Sequence, residues 1–161
     1  MTIVITGGSG FIGTQLSKRL VALGHTVVIV DIIPPNFTHE NLFFISCDIS
    51  VNPLPYGILE KTDAVINLVG RSIFGKWTPK VKEEIEQSRI KSTAHIVEGI
   101  ASASSKPTSF ICASAIGFYG DTKDSVADEQ SPQGGGFLAG VVASWESIAK
   151  QATQYGVRVV C

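Results

Sequence analysis

The stretch Thr6-Gly7-Gly8-Ser9-Gly10-Phe11-Ile12-Gly13 decides how this chain folds. It follows the apolar run Ile3-Val4-Ile5 and opens an amphipathic run from Phe11 to Leu23. The order is strand, glycine turn, helix, which is the context in which a glycine-rich loop holds a dinucleotide. Gly7 permits the sharp turn out of the strand, Gly10 a close approach of backbone to a pyrophosphate, and Gly13 the packing of helix on sheet. The free N–H groups and positive end of that helix then face the phosphates. Ser9, Phe11 and Ile12 complete the loop residues assigned to the cofactor.

Outward from this loop, strands and helices alternate to the last residue. Residues 2–6 read as strand one, and Ile12, Leu16, Leu20 and Leu23 mark one face of the helix that Gly24 ends. Val27-Val28-Ile29-Val30 is an apolar second strand closed by Asp31, and Pro34-Pro35 leaves the sheet. A third strand spans 42–46, and residues 51–60, with two prolines and a glycine, suit a short or broken helix. Residues 64–68 form strand four, followed after Gly70 by a loop carrying Phe74 and Trp77. Pro79, capped by Thr78, opens a long helix whose apolar stripe is Val81, Ile85, Ala94, Val97 and Ala101. Strand five spans 108–113 and a polar loop runs from Tyr119 to Gly136. Leu138, Val141, Trp145, Ile148 and Ala152 mark a last helix before strand six at 157–161.

This pattern predicts an α/β fold, a doubly wound parallel sheet of six strands ordered 3-2-1-4-5-6. Its ligand crevice lies beyond the carboxyl ends of the strands, at the switch between strands one and four. That topology is expected to gather residues 7–13, 31, 48–49, 68–71 and 113–119 around one crevice.

Bulk composition narrows the function. The 161 residues are 44% hydrophobic and 17% charged, which suits a buried parallel sheet rather than a disordered chain. Net charge is −1 with no basic run, so the electrostatic footprint of a nucleic-acid binder is missing. Met1-Thr2-Ile3 lacks the basic start of a secretion signal, and no apolar run approaches the ~18–20 residues of a bilayer span. Cys47, Cys112 and Cys161 are an odd, scattered set in apolar company, read as reduced core thiols of a cytoplasmic protein. His25, His39 and His95 show no metal-ligand spacing, so no metal site is expected, and the Asn36-Phe37-Thr38 sequon is coincidental.

The chain resembles an extended short-chain dehydrogenase/reductase of atypical kind. Within that superfamily it is similar to the NAD-dependent epimerase/dehydratase-like proteins, some of which carry the name of cell-division inhibitors. The matching pieces are the residue 6–13 loop, Asn67-Leu-Val-Gly70, Lys76-Trp77-Thr78, Ser88-Arg89, the block from Ala113 to Asp121, and Trp145-Glu146. The resemblance implies a Rossmann fold over 1–161 that binds NAD(P) and lacks the C-terminal substrate-binding part by which relatives continue. A natural short cofactor-binding protein is the alternative.

Asp31 ends strand two, 18 residues after Gly13. A carboxylate there accepts hydrogen bonds from both adenosine ribose hydroxyls and repels a 2′-phosphate. NAD is therefore the expected cofactor, with NADP left open. Many members of the resembled family carry a basic residue near this point and prefer NADP, so Asp31 is a departure. Asp48 and Ile49 resemble the pair that holds the adenine edge, and Leu68, Val69 and Gly70 run beside the cofactor.

Superfamily catalysis uses a Ser or Thr to orient the substrate oxygen, a Tyr to move the proton, and a Lys four residues on to lower the tyrosine pKa. Ser114 matches the first role, and Tyr119 is the candidate for the second or for lining the nicotinamide or substrate pocket. Tyr119 and Lys123 have the literal spacing, but Gly120-Asp121-Thr122 between them is no helix. On the last helix, with Glu146 setting the register, the expected dyad positions hold Leu138 and Val142. Arg71, Trp77 and Arg89, with Lys76, are assigned to a substrate wall suited to phosphate or carboxylate, as in a nucleotide sugar. Two readings follow. One is an NAD(P)-dependent oxidoreductase or epimerase moving hydride at a hydroxyl or keto carbon. The other is a non-catalytic NAD(P)-binding regulator that has lost its Tyr–Lys dyad.

Overall fold

Ile3, Val4 and Ile5 offer no polar face, so their strand must be covered on both sides. The computed structural model, which describes residues 1–161, places that strand, β1 (Thr2–Thr6), at the centre of the sheet. β2 (Thr26–Asp31) lies on one side and β4 (Ala64–Asn67) on the other. β3 (Leu42–Ser46) flanks β2, while β5 (Ser109–Cys112) and β6 (Arg158–Val160) extend beyond β4. Every pairing is parallel and the order is 3-2-1-4-5-6, as the alternation predicts.

The two faces follow from strand periodicity. Ile3, Ile5, Val27 and Ile29 pack with Val21 of α1 (Phe11–Ala22). Val4, Val30, Val65 and Phe110 meet the other face, covered by α2 (Pro79–Ser102) and α3 (Phe137–Lys150) through Ile96, Ile100, Trp145 and Ala149. Phe110 is fully buried, and truncating such a side chain to alanine costs ~3–5 kcal/mol. Pro79 occupies the first turn of α2, and the Thr78 hydroxyl accepts the Val81 N–H at 3.3 Å.

Several local expectations are corrected. On α1 the buried face is Gly13, Thr14, Ser17 and Val21, not the expected leucine stripe. Ile12 and Leu23 are exposed, and Leu16 and Leu20 only flank the core. The helix presses its smallest residues on the sheet because Gly13 already touches the loop backbone. On α2 the core face is Ile85, Ser92, Thr93, Ile96, Val97 and Ile100, while Val81, Ala94 and Ala101 are half-buried. Residues 51–60 form turns, not a helix, yet Leu54 and Leu59 still reach the core. β4, β5 and β6 are each shorter than expected, and a 3₁₀ turn at Ile116–Tyr119 precedes the long loop. Only Cys112 is a core thiol, with Cys47 half-buried and Cys161 exposed.

Candidate functional site

β1 leads into α1 on one face and β4 leads towards α2 on the other, so the carboxyl ends of β1, β2 and β4 part around a crevice of about 710 Å³. Gly7, Ser9, Gly10, Asp31, Asp48, Ile49, Leu68, Val69, Gly70 and Arg71 line it. Phe11, Ile12 and Gly13 form the first turn of α1 rather than its wall, with the Phe11 and Ile12 side chains exposed.

The glycine turn is built tight. A Cβ at Gly7 would stand 2.8 Å from the Leu68 carbonyl carbon, and Gly7 has φ +73°. A Cβ at Gly13 would stand 2.6 Å from the Gly8 Cα. Gly10 is the N-cap of α1, where no side chain caps the helix and no acidic residue occupies the first turn. The N–H groups and positive pole of that turn are therefore left for an anion. The Ser9 hydroxyl is buried in the same loop without a hydrogen-bond partner. These residues fit a dinucleotide diphosphate.

Asp31 is tied into the loop it serves. Its Oδ2 accepts the Ser9 N–H at 3.0 Å, and its Oδ1 accepts the Ile32 N–H at 2.7 Å. A carboxylate has about four acceptor sites, so capacity for ribose hydroxyls remains. Asp48 is held in a turn, its Oδ1 accepting the Ser50 N–H at 3.0 Å and the Ser50 hydroxyl at 2.6 Å.

Beneath the switch point lies a polar cluster that sequence reasoning did not single out. The Thr6 hydroxyl donates to Asn67 Oδ1 at 2.9 Å, and Asn67 Nδ2 donates to Thr93 Oγ1 at 3.0 Å. All three residues are buried, and Asn67 Oδ1 also accepts the Val69 N–H at 3.1 Å. The network sets the path of residues 67–70 along the crevice. Its signal in the sequence was an asparagine closing the apolar run Ala64-Val65-Ile66. Glu84, Gln87, Ser88 and Lys91 of α2 also line the crevice, and of these only Ser88 stands in a stretch that the sequence reading singled out.

Arg71 and Arg89 are brought together, and Trp77 is not. Arg71 Nε pairs with Glu84 Oε2 at 3.0 Å on the crevice wall. Arg89 lies behind that wall, its Nη1 donating to the Arg71 and Ile85 carbonyls at 3.1 and 2.9 Å. Its guanidinium sits 5.4 Å from the centre of the Trp145 ring, and burial lowers its pKa. A Cβ at Gly70 would stand 3.0 Å from Arg89 Cζ, so the guanidinium sits where a larger residue would place its side chain. Trp77 lies outside the crevice, edge-on to Phe137 at 5.8 Å, its indole N–H donating to the Ile73 carbonyl.

The single crevice expected from topology is in fact two clefts. Ser114 and Tyr119 line a second one of about 620 Å³, beyond β5 and β6, with Glu129, Glu146, Lys150 and Cys161. Ser114 Oγ donates to Glu146 Oε1 at 2.6 Å. Lys123 has φ +54° and pairs with Asp121, so it shares no helix face with Tyr119. Leu138 packs on Gly117 and Val142 is buried, so neither position expected to hold the dyad carries a titratable group. No three His, Cys, Asp or Glu side chains converge on a metal-sized site, and no helix is long and apolar enough to cross a membrane.

With this geometry in view, comparison with known proteins is decisive. The model of the NAD dependent epimerase/dehydratase family matches residues 3–161. The chain belongs to this family. Among epimerase-family relatives, the chloroplastic SDR39U1 homolog of Arabidopsis thaliana is 34% identical over 160 residues, covering 96% of this chain and 46% of its own. Human epimerase family protein SDR39U1, solved with NADPH, superposes with a TM-score of 0.75 at 27% identity, over 92% of this chain and 48% of that one. A nucleoside-diphosphate sugar epimerase from Corynebacterium glutamicum superposes with a TM-score of 0.78 at 31% identity, over 99% of this chain and 32% of that one. The chain spans about half the length of the curated relatives it matches.

Proposed function

We propose that residues 1–161 form the cofactor-binding part of an NAD-dependent oxidoreductase or epimerase. Its reaction moves a hydride at a hydroxyl- or keto-bearing carbon of a small phosphate- or carboxylate-bearing molecule. A nucleotide sugar suits both the family and Arg71 at the crevice. The observation that carries this reading is the bond between Ser9 and Asp31, which places a carboxylate beside the glycine turn at the end of β2. A carboxylate there favours the free ribose of NAD over the 2′-phosphate of NADP. When bound, the nicotinamide supplies the hydride chemistry. The chain's own residues do the rest.

Gly7, Ser9, Gly10 and the first turn of α1, with Phe11, Ile12 and Gly13, would hold the diphosphate through backbone N–H groups. Asp31 would hold the ribose, and Asp48 and Ile49 the adenine edge. Leu68, Val69 and Gly70, just past the end of β4, would run beside the cofactor. Arg71 would meet an anionic substrate group, with Arg89 bracing its backbone. Ser114 would engage the reacting oxygen and Tyr119 would line the pocket beside it. Three free thiols suit a reducing compartment, so we place the protein in the cytoplasm.

A second reading is favoured by one observation. Leu138 and Val142 stand where the superfamily carries its dyad, as they would in an NAD-binding regulator without catalysis. Fluorescence titration with NADH and NADPH tests the cofactor assignment, and tighter NADH binding is expected. Equal or reversed affinities would remove the argument from Asp31. Incubation with NAD and a panel of UDP-sugars, followed by product analysis, separates enzyme from regulator. Comparison of Tyr119→Phe with wild type in that assay tests Tyr119, which unchanged rates would take out of the chemistry.

A further inference from the structure

We infer that Glu146 is the proton acceptor of this site. Oriented by Lys150, it draws the proton of Ser114, and Ser114 in turn takes the proton of the substrate hydroxyl. The inference rests on the functional reading of Ser114 given above.

Serine has one proton to donate. In Ser114 that proton points at Glu146 Oε1, across 2.6 Å, a length typical of a hydrogen bond to an ionised carboxylate. The lone pairs of Ser114 Oγ are then what remains for a ligand. Ser114 is set to accept from a hydroxyl, not to donate to a carbonyl, for as long as Glu146 is ionised.

Glu146 is built for this. Its other oxygen, Oε2, accepts from Lys150 Nζ at 3.1 Å one helical turn on. The Glu146 side chain is 18% exposed and the Lys150 side chain 63%, so the carboxylate is sheltered and its counter-charge is wet. Glu146 and Lys150 are the only ionisable side chains on α3. On the helix that bears the superfamily's dyad, no other group can hold a proton. The remaining charged or titratable groups around Glu146 are Tyr119 from the 3₁₀ turn, Glu129 from the loop and Cys161 after β6. Burial and then the charge of Glu146 push the Cys161 thiol up, with Lys150 opposing. Arg89 of α2 lies over the ring of Trp145, the residue before Glu146, and donates to the Arg71 carbonyl.

The step balances. The substrate O–H bond breaks as an O–H bond forms to Ser114 Oγ, and the former Ser114 proton passes to Glu146 Oε1. Glu146 becomes a neutral carboxylic acid. The substrate carbon becomes a carbonyl as it releases hydride, for which an oxidised nicotinamide held by the glycine turn and Asp31 would be the acceptor. In reverse, protonated Glu146 restores Ser114 as a donor to that carbonyl.

Two measurements test this. The first is neutron diffraction from crystals of the protein grown in heavy water, which needs neither cofactor nor substrate. The deuteron of Ser114 should lie on the line from its Oγ to Glu146 Oε1. A deuteron aimed elsewhere overturns the inference. The second is the rate of NAD reduction by UDP-glucose, UDP-galactose and UDP-glucuronic acid across pH. Glu146→Gln should lose about 100-fold or more and the rise of rate with pH, while NADH affinity holds. Glu146→Asp should recover part of both. Wild-type rates in Glu146→Gln, or a parallel loss of NADH binding, overturn the inference. Absence of NADH binding in the wild type would instead refute the functional reading and leave the neutron result standing.

Discussion

The backbone N–H of Ser9 donates to Asp31 Oδ2 at 3.0 Å, so the glycine turn after β1 and the end of β2 are one unit, although 22 residues separate them. The carboxylate that would read the ribose also fixes the loop that would hold the diphosphate. Replacing Asp31 with alanine should therefore weaken NADH binding about tenfold or more, the cost of losing charge-assisted bonds worth ~1.5–3 kcal/mol. It should also narrow the preference for NADH over NADPH. Fluorescence titration reads both, and undiminished NADH affinity would separate Asp31 from the ligand.

Gly13 and Gly140 predict opposite outcomes for the same substitution. A Cβ at Gly13 would stand 2.6 Å from Gly8 Cα and Gly8 O, so Gly13→Ala must push the loop off the helix. It should cost ~1–3 kcal/mol of stability and most of the NADH affinity. At Gly140, within α3, a Cβ meets nothing within 4 Å, and Gly140→Ala should stabilise by ~0.5–1 kcal/mol. Denaturant melts of the two variants beside wild type check the sign of each.

Burial, and then the nearby Cys161, push the Cys112 thiol from the ordinary value near 9 to about 12. The thiol is raised in the folded state, so its contribution to stability is whole below pH 9 and is lost as pH climbs from 9 to 12. Cys112→Ser should show a shallower fall of stability over that range. Native alkylation at pH 8 should leave Cys112 unlabelled, as mass spectrometry of the digested protein would show.

Glu60 accepts the N–H groups of Ser104 and Ser105 at 2.7 and 3.1 Å, tying the turn region before β4 to the chain just after α2. Those bonds hold its carboxyl below the usual range. The sign is opposite to that of Cys112: the contribution is present above the ordinary glutamate pKa and is lost as pH falls through the lowered one. Glu60→Gln should melt below wild type at pH 7, and the gap should close towards pH 3. A gap that is constant with pH would show that the charge is immaterial.

Much of the architecture was legible in residue order. Ile3-Val4-Ile5 ahead of three spaced glycines specifies strand, turn and helix, because backbone geometry and the lack of Cβ atoms act locally. Thr78-Pro79 likewise marks the start of α2, where a missing N–H costs nothing. The faces of the helices were less legible. Ile12 and Leu23 match the helical period, yet Gly13, Ser17 and Val21 are buried, because close approach to the sheet selects the smallest residues over the most apolar.

The sequence by itself determined a six-strand parallel sheet with a dinucleotide turn at its centre, since those features depend on neighbours a few residues apart. Only the tertiary structure decided that Ser114 and Tyr119 stand in a cleft of their own, and that Arg89 lies behind Gly70. It also decided that Ser114 meets Glu146, 32 residues away. Such contacts depend on the parallel register of β5 and β6 and on how α3 lies over them, and no local pattern of residue types encodes those distances.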